Sequence, residues 1–147
     1  MEQAQAVLGP LITRIDHVGI AVPDLDVAIE FYRRVFGVPM VHEETNEEQG
    51  VREAMLAVGD DYLQLLAPLT PDSTIGTFLD KRGPGIQQVA FGVDDVELAA
   101  ERLRAAGVRV LYPRAKRGTA GSLVNFAHPA DCGGVLIELV QAHAEDH

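Results

Sequence analysis

The chain contains no tryptophan, one cysteine and few aromatic side chains, 5% of residues. A lone Cys132 supports no disulfide framework and has no second cysteine at zinc-finger spacing, so a reducing compartment, the cytoplasm, is expected. Positive charge is scarce as well: 12 Lys and Arg stand against 22 Asp and Glu, a formal net charge of -10. A field of that sign repels phosphate backbones and anionic membrane surfaces at long range, which excludes nucleic acid as an expected partner. A local basic cluster still outweighs distant charge at contact distance, and a small anionic substrate stays open. No apolar run approaches the roughly 18 residues that span a bilayer, and residues 1–10 lack a basic stretch followed by an apolar one. Neither membrane insertion nor export is expected.

What is present is repetition. In 147 residues, 47% of them apolar, one domain can bury a sizeable core. Aligning residues 15–31 with residues 86–102 pairs Ile15 with Ile86, Val18 with Val89, Val22 with Val93, Asp24 with Asp95, Ala28 with Ala99 and Glu30 with Glu101. Both segments have the same grammar of short apolar strand, helix cap and amphipathic helix stopped by glycine. Asp24 is placed to cap a helix whose apolar positions Leu25, Ala28, Ile29, Tyr32, Val35 and Phe36 recur at three and four, with Gly37 at the stop. Asp95 does the same for Val96, Ala99, Ala100, Leu103 and Ala106, with Gly107 at the stop.

Short strands follow each helix, at about residues 38–44, 51–58 and 61–67, then 108–112, 123–128 and 135–140. Each copy reads βαβββ. The expected fold is α+β, one domain over residues 12–141, with modules at about 12–67 and 86–141. The linker at about 68–85 holds Pro68, Pro71, Gly83, Pro84 and Gly85 around a helical stretch near residues 74–80. A lone βαβββ unit leaves a sheet face uncovered, so the two modules are expected to form a curved mixed sheet around a cleft. The tail from Ala142 is expected to fray.

Several strand faces carry polar residues where apolar ones belong. The period of two places Ile15, His17, Gly19 and Ala21 together, and Ile86, Gln88, Ala90 and Gly92 together. His17 and Gln88 are therefore repeat equivalents. In the last strands of the copies, Gln64 lies between Tyr62 and Leu66, and Glu138 between Leu136 and Val140, which makes a second equivalent pair. Imidazole, carboxylate and amide oxygen together suit a borderline or hard divalent ion, and a buried Glu138 needs a cation or proton beside it. The bland alternatives are a hydrogen-bonded core histidine and edge-strand glutamines. Glu53 is the odd member of a face with Val51, Met55 and Ala57; pointing to solvent is its alternative.

With His17 in IDHVGIAV, Gln64 in QLLAP and Glu138 in VLIEL as one set, the sequence resembles the vicinal oxygen chelate (glyoxalase/bleomycin resistance/dioxygenase) superfamily. The segments EEQGVREAML, LTPDSTIGTFLDKRGPG, GVRVLYP, NFAHP and GGVLIEL resemble, within it, the methylmalonyl-CoA epimerase family, over about residues 12–141. The resemblance implies a metal-dependent epimerase that interconverts the (2R) and (2S) epimers of methylmalonyl-CoA through a metal-stabilised enolate, and a homodimer. It implies a divalent ion such as cobalt(II), with manganese, magnesium, nickel or zinc as substitutes, held at His17, Gln64, Gln88 and Glu138. It gives Glu53 and Glu138 the acid/base roles. The family ordinarily has histidine where Gln88 stands, in a pair that here reads Gln87-Gln88, and often lysine at Ala130. An amide oxygen is the weaker donor, which predicts lower affinity or a shifted metal preference.

Arg114, Lys116 and Arg117, followed by Gly118, Thr119, Ala120, Gly121 and Ser122, form a basic loop that suits coenzyme A phosphates or is simply solvated. His42 and His128 are expected to support loops or strand ends, and His143 and His147 to lie in the tail. Competing readings are a glyoxalase-like enzyme, which usually has glutamate at the position of Gln64, and a dioxygenase, which needs two histidines. A third is a non-catalytic binder of small molecules, against which the low aromatic content counts.

Overall fold

The computed structural model describes residues 6–143, and the residues at either end, with most of the tail expected to fray, lie outside it. Eight strands and three α-helices follow one another in an α+β order that uses βαβββ twice. The elements are β1 (Ile12–Ala21), α1 (Leu25–Phe36), β2 (Met40–Asn46), β3 (Val51–Val58) and β4 (Asp61–Pro68), then α2 (Thr74–Arg82), β5 (Gly85–Val93), α3 (Val96–Ala105), β6 (Lys116–Arg117), β7 (Leu123–Ala127) and β8 (Leu136–Gln141). Parallel and antiparallel pairings both occur, so the sheet is mixed. The described chain divides into two compact units, residues 17–88 and residues 6–16 with 89–143.

In the unit of residues 17–88 the strands run in the order β2-β3-β4-β1. β3 is antiparallel to both β2 and β4, whereas β1 joins β4 in parallel, with Gly19 opposite Gln64. A parallel neighbour needs a crossover, and α1 supplies part of it. Asp24 accepts from the Val27 backbone N–H at 3.1 Å, and Gly37 ends the helix at φ 67°, a left-handed conformation that glycine adopts without Cβ strain. Leu25, Ala28, Ile29 and Tyr32 of α1 pack with Val22, Ala54, Leu56, Leu65 and Ala67 on one sheet face. Leu56 and Leu65 are fully buried there, each stabilising the fold by about 1.5–3 kcal/mol. The apolar stripe stops short of its expected end: Val35 and Phe36 are 46% and 63% exposed.

The opposite face of the same sheet is covered differently. α2, capped by the Ser73 hydroxyl at the Gly76 N–H, brings Ile75, Phe78 and Leu79 onto Ala21, Val51 and Leu66. Beyond that small apolar cover, the same strands present polar residues.

The other unit is built around α3, which Asp95 caps at the Leu98 N–H. Val96, Ala99 and Leu103 of α3 pack with Val93, Ile137 and Leu139 and with Leu8 and Leu11 near the chain's start. Its strand order is β5-β8-β7-β6. Residues 108–112, expected as a strand, are irregular apart from one bridge between Val110 and Ala127, and the third strand is instead the short β6 against Leu123 and Val124. The cause is Asn125, which is wholly buried: its Oδ1 accepts from the Tyr112 N–H at 3.1 Å and its Nδ2 donates to the Tyr112 carbonyl at 3.0 Å. A side chain thus takes the place of a strand ladder, just before Pro113, which has no N–H to extend one.

Candidate functional site

Alternation on β1 buries His17, Gly19 and Ala21 together, and on β4 it buries Gln64 with Leu66. On β3 the same alternation turns Glu53 inward beside Val51 and Met55. In the β3/β4 register Glu53 faces Leu66 and Gln64 faces Met55, so Glu53 and Gln64 are diagonal neighbours on one face, within reach of long side chains. Gln64 Nε2 donates to Glu53 Oε2 at 3.3 Å. Glu53 is 7% exposed, which removes the solvent-facing alternative for it.

Gln88 on β5 completes the group. Its Nε2 donates to Gln64 Oε1 at 3.2 Å and lies 3.4 Å from His17 Nε2. Room for this side chain is made by Gly19, where a Cβ would stand 2.6 Å from Gln88 Cγ. His17 and Gln64 are each 3% exposed and Gln88 6%, so these polar groups satisfy one another away from water. The neighbouring Gln87 falls on the other side of β5, where its buried Oε1 has no hydrogen-bond partner among the described residues.

Among the described residues, no three or more His, Cys, Asp and Glu cluster as a group able to hold a metal. The donor set around His17 draws instead on carboxamides. His17 Nε2 and Gln64 Oε1 both lie within hydrogen-bonding reach of a single nitrogen, so with the ring protonated on Nδ1 two lone-pair donors converge on one point, as ligands of a cation do. Gln88 presents its NH2 group there, and its oxygen faces the same point only once the carboxamide turns over. With that rotation the residues fit a hard or borderline divalent ion.

Glu138 lies in the other unit, on β8 opposite Phe126 of β7, and is 7% exposed. Arg114, Lys116 and Arg117 are exposed, and the Lys116 ammonium sits 4.4 Å above the Tyr112 ring. The glycine-bearing loop after them closes on itself, with the Gly118 N–H on the Ser122 carbonyl and the Ser122 hydroxyl on the Thr119 carbonyl. Ala120 there has φ 56°, the sole positive φ at a described non-glycine residue; such strained positions often sit at binding loops. His42 pairs with Glu44, and His128 caps the turn at Pro129–Asp131 by accepting from the Ala130 N–H, both in supporting roles.

Strand alternation puts His17, Gln64, Gln88 and Glu138 on faces where each is buried, but it gave no role to Gly19 as the cradle of Gln88. The available signal was the glycine itself, set between His17 and Ala21 on an inward face, where a glycine often marks close approach of another group.

The signature of the Glyoxalase/Bleomycin resistance protein/Dioxygenase superfamily matches residues 14–139. A crystal structure of methylmalonyl-CoA epimerase from Mycobacterium tuberculosis is 57% identical, with a TM-score of 0.89 over 92% of this chain and 91% of that one. A methylmalonyl-CoA epimerase in complex with methylmalonyl-CoA and NH4+ is 52% identical, with a TM-score of 0.87 over 90% of this chain and 96% of that one. The ethylmalonyl-CoA/methylmalonyl-CoA epimerase of Cereibacter sphaeroides is 38% identical over 89% of this chain and 99% of its own length.

Proposed function

Because the chain belongs to the Glyoxalase/Bleomycin resistance protein/Dioxygenase superfamily and within it to the methylmalonyl-CoA epimerase family of enzymes, we propose that it interconverts the (2R) and (2S) epimers of methylmalonyl-CoA. The observation that carries this reading beyond kinship is Glu53, a buried carboxylate hydrogen-bonded to Gln64 beside His17 and Gln88.

Epimerising the carbon alpha to a thioester requires a proton to leave one face and another to return on the opposite face. Two carboxylates acting in turn as base and acid meet that need. Glu53 is the base on one side. It is held by the Gln64 amide, which orients its carboxylate. Glu138 serves the other face, and family resemblance also makes it a metal ligand with His17, Gln64 and Gln88. Members of the superfamily generally use a divalent metal. Here the ion, cobalt(II) by family preference with manganese, magnesium, nickel or zinc as substitutes, would supply positive charge against the developing enolate oxygen. Arg114, Lys116 and Arg117 offer exposed cations to the coenzyme A phosphates. A homodimer in the cytoplasm is the proposed setting, the latter in keeping with a single cysteine; no described helix is long and apolar enough to cross a membrane.

The test is exchange of the alpha proton of methylmalonyl-CoA in deuterium oxide, with and without chelator. Exchange that chelation suppresses is expected. No exchange with any added divalent metal would sink the epimerase reading.

A further inference from the structure

We infer that Ile75, carried by α2 onto the face that holds Glu53, determines specificity for the acyl branch: it walls the methyl group of methylmalonyl-CoA and excludes a longer one. This rests on the epimerase reading and on Glu53 as its base.

The carbon alpha to the thioester carries a hydrogen, a methyl group, a carboxylate and the thioester carbonyl. A base that takes the hydrogen needs polar groups toward the two oxygen-bearing arms and an apolar surface toward the methyl. The surroundings of Glu53 divide in that way. In one direction along the strands comes Gln64, which donates to the Glu53 carboxylate at 3.3 Å, and beyond it His17. In the other direction comes Val51, on the same face of β3. The strand register also sets Leu66 directly across from Glu53, and Ala21 across from Leu66. Ala21, Val51, Leu66 and Ile75 form one buried apolar cluster.

Three members of that cluster belong to strands and make a floor. Ile75 differs: it comes from the helix laid on this end of the face, so its side chain stands over the floor and is 6% exposed. The wall is anchored from behind. A Cβ at Gly76 would meet the Pro71 and Thr70 carbonyl oxygens at 2.5 and 2.7 Å, so α2 packs directly on the chain that leads into it. At the β2–β3 turn a Cβ at Gly50 would stand 3.0 Å from Ser73 Cβ, and the Gly50 carbonyl accepts from the Leu69 N–H at 2.8 Å. Moving α2 off the sheet to admit a longer branch would break these contacts, because packed interiors do not yield by a methylene without cost. Against such a wall one added methylene changes discrimination by about 10–200-fold.

The experiment measures alpha-proton exchange in deuterium oxide, as kcat/KM, for methylmalonyl-CoA and ethylmalonyl-CoA with added Co2+. It compares the full chain with its Ile75→Ala and Ile75→Val variants. Wild type should prefer methylmalonyl-CoA by about 10-fold or more. Ile75→Ala, which removes most of the side chain, should raise the ethylmalonyl-to-methylmalonyl ratio by about 10-fold. Ile75→Val, which removes only the terminal methyl, should raise it by less. A purely structural role for Ile75 would lower both rates together and leave their ratio unmoved. An unmoved ratio in the folded variants, or a wild type that exchanges both thioesters alike, overturns the wall and leaves the epimerase reading intact. If Ile75→Ala does not fold, the ratio in Ile75→Val decides alone. A wild type that exchanges neither thioester overturns the epimerase reading itself, and the wall with it.

Discussion

Both compact units bury polar side chains, but Asn125 and Ser122 in one are employed differently from the group in the other. In residues 17–88, His17, Glu53, Gln64 and Gln88 bond to one another through side-chain atoms. In the other unit, where Glu138 is buried as well, Asn125 and Ser122 bond backbone: Asn125 holds Tyr112 and Phe126, and Ser122 holds Thr119. Buried side-chain networks specify a site, whereas a buried side chain that replaces a ladder specifies a path for the chain. The duplicated grammar thus fixes elements, while the buried polar residues diverge: those of residues 17–88 bond one another, and Asn125 and Ser122 bond backbone.

Glu53→Gln should break the chemical half of that comparison. Glutamine keeps an oxygen to accept from Gln64, so the network, fold and metal affinity should survive while the base is lost. Epimerisation should fall by about 10²–10⁴-fold with an unchanged far-ultraviolet spectrum. Wild-type turnover would refute the role of Glu53.

Asn125→Leu tests the architectural half. The change keeps the volume but removes the Asn125 acceptor from the Tyr112 and Phe126 N–H groups and leaves the Tyr112 carbonyl without the Asn125 donor, though still with Arg104. Urea denaturation should show a loss of roughly 3 kcal/mol. A loss under about 1 kcal/mol would mean that residues 108–112 are held by the Val110 bridge and not by the Asn125 side chain.

The same contrast explains what was legible in the sequence. Asp24, Asp95 and the span of β3 could be read directly because caps and strict alternation are local signals. Residues 108–112 alternate just as well, yet their partner, Asn125, lies 13 residues on and acts through its side chain, which no local pattern records. At the site, alternation gave the faces of His17, Gln64 and Gln88. The burial of Glu53 depends on its diagonal neighbour across β4, and the direction of the Gln88 amide depends on which of its ends meets two acceptors. Both are properties of the assembled sheet. Val35 and Phe36 fit the helical stripe perfectly well but lie past the edge of what α1 covers.

The smallest expected effect lies at the exposed margin of the second copy. Arg109 grips Asp131 with Nε and a terminal nitrogen at 2.9 and 3.2 Å, and its backbone N–H adds a third bond at 2.9 Å. Those hydrogen bonds hold the Asp131 carboxyl at about 2, below its ordinary 3.8. A carboxylate whose pKa is lower folded than unfolded adds stability that is complete above about pH 3.8 and disappears as pH falls through about 2. The pair is exposed to solvent, so the contribution is small and salt weakens it. Asp131→Asn should therefore leave the melting temperature near pH 7 only slightly lower but flatten its decline between pH 4 and pH 2. The difference from wild type should narrow in high salt. If wild type and variant trace parallel melting curves through that acid range, the Arg109 grip on Asp131 adds nothing to holding the turn at Pro129–Asp131, and that turn depends on the His128 cap and its own backbone hydrogen bonds.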